Sequence, residues 1–189
     1  MNTPFSSKCW LAGWLFLSLA ALGGAVRAEP AEDPQVVAQN VYAQIKTNLN
    51  VAAVNALVTQ YFDTRSMAIQ ALGLPYRSFS ADQKTVYTKA FDTYFKKSLY
   101  DVLTTHKDVT ISNLVSRVEG NRATVRCVVK SANAQPIDLA LNLSLAEDTW
   151  KANDVVMDNI SLIVSYRPQF ASLYKQGGFD GMVEYLNSH

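Results

Sequence analysis

The spacing of apolar residues in this chain changes near His106 from about 3.6 residues to 2. A helical layer must therefore come first and a sheet second, because the two periodicities belong to different backbone geometries. Before the switch, Val37, Val41, Ile45 and Leu49 recur every four residues, and Val51, Val54, Leu57, Val58 and Phe62 continue the stripe after a break at residues 48–50. A third helix is expected from Thr64 to Leu72, ended by Gly73 and Pro75. Ser80 followed by Gln83 has capping-box spacing and predicts a helix to about Leu103. Tyr87, Phe91, Tyr94, Phe95, Ser98, Leu99 and Val102 line one face of it, with Lys89, Asp92 and Lys96 on the other.

After His106, four strands are expected. They are marked by Val109 and Ile111, by Ala123, Val125, Cys127 and Val129, by the alternate residues from Ile137 to Leu145, and by the run from Trp150 to Met157. Gly120-Asn121, Asn133 with Pro136, and Glu147-Asp148 supply the turns, so the strands should form an antiparallel meander with one dry face. Residues 160–164 could extend the sheet or open a helix. Because proline suits the first turn of a helix, Pro168 favours a helix capped by Ser165, ended by Gly177-Gly178 and followed by a last helix capped by Asp180. The fold class is α+β, with helices on one side of a four- to five-stranded antiparallel sheet.

Residues 1–28 read as a cleavable secretory signal: Lys8, an apolar stretch from Trp10 to Leu22, then Val26-Arg27-Ala28 at the cleavage site. The apolar stretch is short of the roughly 20 residues a membrane span needs. Residues 29–189 then form one domain, and loss of Lys8 and Arg27 turns the formal charge of +1 into −1. A chain so balanced has no overall basic footprint for nucleic acid. Cys9 leaves with the signal, so Cys127 has no disulfide partner and reads as a small apolar residue on a buried strand face.

Catalytic patterns are sparse. His106 and His189 stand in no metal or nucleophile context, Asp154 and Asp158 read as strand-end or capping residues, and the glycines near Asp180 lack the lysine of a phosphate loop. The apolar stock is the notable feature. Phe91, Tyr94, Phe95 and Leu99 on the long helix oppose Val125, Cys127, Val129, Leu139, Leu141 and Leu143 on the sheet, as a plain core or as the walls of a cavity; composition alone favours the plain core.

Two stretches resemble a known family. Phe62-Asp63, Met67-Ala68, Ala71-Leu72-Gly73, Tyr76-Arg77, Ser80, Gln83, Phe91 and Phe95 are similar to the N-terminal signature of the MlaC-like periplasmic phospholipid-binding proteins, the toluene-tolerance auxiliary family. Trp150-Lys151, Asp154-Val155, Asp158, Ile160-Ser161-Leu162, Tyr166-Arg167, Phe170, Gly177-Gly178 and Asp180-Gly181 resemble its C-terminal signature, with Asn159 where glycine is common. The resemblance implies a non-enzymatic carrier that shuttles phospholipid through the periplasm between an outer-membrane lipoprotein complex and an inner-membrane ABC transporter complex, maintaining outer-membrane lipid asymmetry. It implies no cofactor, only bound phospholipid as cargo, and a cavity in place of a plain core. Leu162 and Tyr166 then join the expected lining. A carrier of another apolar lipid such as a hopanoid, and a small exported hydrolase, are the alternatives.

Overall fold

A computed structural model describes residues 33–106, 108–131 and 134–189. The signal expected over residues 1–28 lies outside them. Five helices are α1 (Pro34–Thr47), α2 (Val51–Tyr61), α3 (Thr64–Leu72), α4 (Ala81–Thr105) and α5 (Leu162–Ser188), with a 3₁₀ turn at Leu74–Ser78 that the sequence reading lacked. Strands β1 (Val109–Glu119), β2 (Arg122–Ser131), β3 (Ile137–Ala146), β4 (Thr149–Met157) and β5 (Ile160–Ser161) form one antiparallel sheet in sequential order. The expected α+β meander is what forms.

Each helix begins on a side chain that satisfies an otherwise unpaired backbone N–H. Asp33, Asn50, Asp63, Ser80 and Ser161 accept these bonds, and at Ser80 the full capping box with Gln83 is present. The hairpin turns use left-handed backbone at Glu147-Asp148 and Asp158-Asn159, both residues of each pair having positive φ, as two-residue turns of twisted strands require. Asn159 therefore does in this chain what a glycine could do there.

Residues 160–164 serve both expected ends: Ile160–Ser161 pairs with β4, and α5 starts at Leu162. The helix cap is Ser161, not Ser165. Ser161 Oγ accepts the Val164 N–H, while the Ser165 hydroxyl donates back to the Ser161 carbonyl. Pro168 consequently lies inside the helix, where it cannot donate to the carbonyl of Val164; that residue is 54% exposed, which leaves water as the available partner. The expected break at Gly177-Gly178 is present, but Asp180 does not cap the stretch after it. The only non-helical residue within α5 is Gly178, and Asp180 lies in the helical stretch after it.

The helices attach along two flanks of one sheet face. α1 packs mainly on β1 and β2 and reaches β4 as well, whereas α2, α3 and α5 pack on β4. At the junction of α2 and α3 the chain joins the β4 edge itself, with the Asp63 N–H donating to the Ala152 carbonyl at 2.9 Å. Helix α4 packs on α2, α3 and α5 and makes no comparable backbone approach to any strand. It is a roof carried by other helices.

Gly178 combines φ 62° with ψ −156°, a region open almost only to glycine, and Gly181 is helical with open space where a Cβ would stand. Gly178→Ala should destabilise the fold by about 1–3 kcal/mol, and Gly181→Ala should be neutral or stabilising by up to about 1 kcal/mol. Urea unfolding of both variants checks the opposite signs.

Candidate functional site

The face of the sheet beneath the helices is a floor made of cross-strand rows, because residues paired across antiparallel strands point the same way. Its deepest row, Ala123–Leu143–Ala152, is at most 5% exposed. The next, Val125–Leu141–Val155, is still covered, with Val155 half-buried. Cover then fails. In the row Cys127–Leu139–Met157–Ile160, Cys127 is buried, Leu139 half-buried, Met157 41% exposed and Ile160 64% exposed. The outermost apolar row, Ile111–Val129–Ile137, is half-buried throughout.

The first two rows belong to the packed core, together with Phe91, Phe95 and Phe170 from the helices. None of the side chains in the last two rows does, among the described residues. The floor thus stays apolar for two rows beyond the point where the core ends. Three helix ends surround this open part. α4 ends at Thr105, with three residues between it and β1 at Val109, α5 grows directly out of β5, and at the end of α1 Tyr42 Oη and Lys46 Nζ donate to the Val109 carbonyl. Leu99 and Leu103 continue the roof stripe of Phe91 and Phe95 towards this end and are only partly buried.

The expected lining residues therefore fall into distinct places. Phe91, Phe95, Val125, Leu141 and Leu143 lie in the packed core. Cys127, Leu139 and Val129 lie on the floor where the core gives out, and Leu99 and Leu162 are half-buried on the helices above it. Tyr94 and Tyr166 occupy the α4–α5 seam: their ring centroids are 5.8 Å apart, and Tyr166 stacks on Phe170 at 5.3 Å. Ile111, Ile137, Met157 and Ile160 were absent from that list although they complete the open rows. Each lies at or near the end of its strand, beside a turn or a bulge, where the sequence does not show whether the cover still extends.

Burial sets the electrostatics. It raises the thiol pKa of Cys127 above its ordinary value. The phenols of Tyr87 and Tyr166 are pushed far above the usual range, first by burial and then by a neighbouring tyrosine, Tyr76 and Tyr94 respectively, with a bond to Ser98 partly offsetting this for Tyr166. Tyr87 is held neutral as a donor to the Ala68 carbonyl at 2.9 Å. The two carboxylates singled out from sequence have structural partners: Asp154 accepts from Ser161 Oγ and the Ile163 N–H at the start of α5, and Asp158 Oδ1 accepts the Asp138 N–H. Among the described residues, no group of three or more His, Cys, Asp and Glu side chains is placed to hold a metal. What the site offers is apolar area.

Residues 35–188 match a family model described as MlaC protein. A similar solved structure is that of a phospholipid-binding protein from Ralstonia solanacearum in complex with a phospholipid. It is 22% identical, with a TM-score of 0.66 over 82% of this chain and 96% of that one, and so shares the fold.

The raised phenols fix the sign of an alkaline effect. Above about pH 10 the unfolded chain releases tyrosine protons that the folded chain retains at Tyr87 and Tyr166. Stability should therefore fall as pH rises past that point, with a slope of up to about 1.4 kcal/mol per pH unit for each phenol. In the Tyr87→Phe/Tyr166→Phe variant the slope should be smaller, with about 1 kcal/mol lost at neutral pH for the Tyr87 bond. Urea midpoints from pH 8 to 11 for both proteins decide it; identical slopes would refute the assignment.

Proposed function

Because the chain belongs to the MlaC family, we propose that it is a carrier of phospholipid, exported by its leader to the periplasm, where it shuttles lipid between outer-membrane and inner-membrane complexes and so maintains outer-membrane lipid asymmetry. The reading rests on one observation above others: the apolar floor runs without a break from a packed core to rows that lie outside that core and are only partly covered. The Ralstonia solanacearum protein of the same fold was solved holding a phospholipid, which supports the same ligand class here.

The need for a carrier is energetic. Two acyl chains contain about 30 methylenes, and at roughly 0.8 kcal/mol each their exposure to water would cost about 24 kcal/mol. Passage through an aqueous compartment therefore requires a surface that replaces hydrocarbon for hydrocarbon. In our reading the tails enter over Met157 and Leu139 and lie along the rows of Cys127 and Val129, beneath the α4 roof. The headgroup stays at the mouth, in water, near Val109 and Lys46. Loading and unloading are then near-balanced exchanges, so net direction is supplied by the docked complexes.

No helix of the described residues is long and apolar enough to cross a membrane. Asp154 and Asp158 are engaged in capping and turn bonds, and we read the chain as a binding protein without catalytic residues or cofactor.

Native mass spectrometry of protein purified from cells should show one phospholipid retained, and organic extraction should identify it. Recovery of lipid-free protein beside a control carrier that keeps its cargo would sink the reading, and extraction of a hopanoid would redirect it. Leu139→Arg should abolish retention with the circular dichroism of the fold intact, because the guanidinium can reach water at the mouth. Leu141→Arg, two residues away along the strand in the packed core, should instead cost more than about 4 kcal/mol and prevent folding.

A further inference from the structure

The opposite face of the sheet carries a second feature. Along β1 and β2 it forms a concave groove of about 490 Å³ that includes Val115, Arg117, Arg122, Thr124 and Arg126, with Glu119 as its one carboxylate. Arg126 also borders a smaller hollow of about 140 Å³ at the sheet margin, whose lining includes Val128, Asp138 and Ala140 as well as Cys127 and Leu139 of the floor. The three guanidinium groups are exposed, and only Arg117 has a carboxylate partner, Glu119 at 2.8 Å. Arg122 and Arg126 pair with no carboxylate among the described residues. The formal charge of the whole chain is only +1, so this concentration is local.

We infer that this groove docks an acidic segment of a protein partner. Arg122 and Arg126 lie four residues apart on one strand, so their Cα atoms are separated by about 13 Å, a spacing that carboxylates four residues apart on an extended segment would match. The arginine fork binds carboxylates in bidentate fashion. Val115, 56% exposed between these charges, offers an apolar contact of the kind that gives a charged interface its short-range fit. The mixed charge decides between possible acidic occupants: Glu119 lines the same groove beside Arg117, so a uniformly anionic bilayer surface would meet that carboxylate too, whereas a segment with spaced carboxylates can place them on Arg122 and Arg126 alone. Because the helices cover the other face, a partner seated here leaves the mouth near Met157 and Val109 unobstructed. The inference rests on the carrier reading only for where the partner is to be found, in the membranes served.

The test is flotation of the purified chain with three probes: membrane vesicles from the organism that makes it, the same vesicles stripped with protease, and liposomes of their extracted lipids. Binding is expected to the untreated vesicles alone, to weaken between 50 and 300 mM salt on the order expected for paired charges, and to fall at least tenfold in Arg122→Glu/Arg126→Glu. A control with the same charge change on the helices, Lys89→Glu/Lys175→Glu, should bind as the unaltered chain does. Undiminished binding by the arginine variant, equal binding to liposomes, or no binding to untreated vesicles would each overturn the inference. Lipid retention measured on the same proteins keeps the two ideas separate: a variant that retains lipid yet loses the vesicles supports docking here, and an unaltered chain that retains no lipid counts against the carrier alone.

Discussion

One mismatch organises this molecule: the apolar face of its sheet is longer than the helical layer that covers it. A domain of this size normally ends its apolar pattern where its cover ends, since each half-exposed Leu or Ile forgoes part of the roughly 1.5–3 kcal/mol its burial would contribute. Here Leu139, Met157, Ile160, Val129, Ile111 and Ile137 continue the pattern past the last core residue. The core formed by the deep rows, with Phe91, Phe95, Phe170 and Met182 above them, is what holds the fold while those residues stay only partly covered. Stability and the candidate site are thus assigned to different lengths of the same strands.

The attachment of the helices follows from the same division. α1 holds one flank and the α2–α3 junction is stitched to the β4 edge at Ala152, so the sheet is gripped at its sides. The roof α4 is gripped by helices through aromatic contacts, among them Phe91 with Phe170 and Tyr94 with Tyr166. A roof without backbone ties to the floor can shift by repacking side chains, which is a far smaller disturbance than breaking a ladder of hydrogen bonds. α5 carries two interruptions of its own, the missing donor at Pro168 and the non-helical Gly178. They divide it into segments on either side of the part that packs Phe170 into the core.

Most of the architecture was legible because local signals agreed with one another. The capping box at Ser80, the glycine after Leu72, and the alternation in β2 and β3 each specify their element without help from distant parts of the chain. What escaped depended on tertiary context. Proline at 168 argued for a helix start nearby, yet Asp154, on another element, accepts the Ile163 N–H and helps set the start at Leu162. In β1 the bulge after Ser112, with Asn113 at φ 55°, shifts which residues face inward, so Val115 turns outward in a strand whose pattern is otherwise apolar. The candidate site was half legible for a related reason. Periodicity tells which face of a strand is dry, and Val125 and Val129 share a face; it does not tell how far along that face the cover extends, which only the placement of the helices decides.

Strand β2 shows how closely the two surfaces of the sheet are tied. Its alternate residues are Ala123, Val125, Cys127 and Val129 on the floor and Arg122, Thr124, Arg126, Val128 and Lys130 on the reverse. A slip of one residue would bury Arg126 and expose Val125, so the charges that populate the outer groove also enforce the register that builds the floor. The bulges in β1 and β4 change the pleat only in the neighbouring strands and leave the β2–β3 pairing continuous from Arg122 to Val129. Apolar floor and cationic groove therefore arise from one alternating sequence, and neither face can be moved without moving the other.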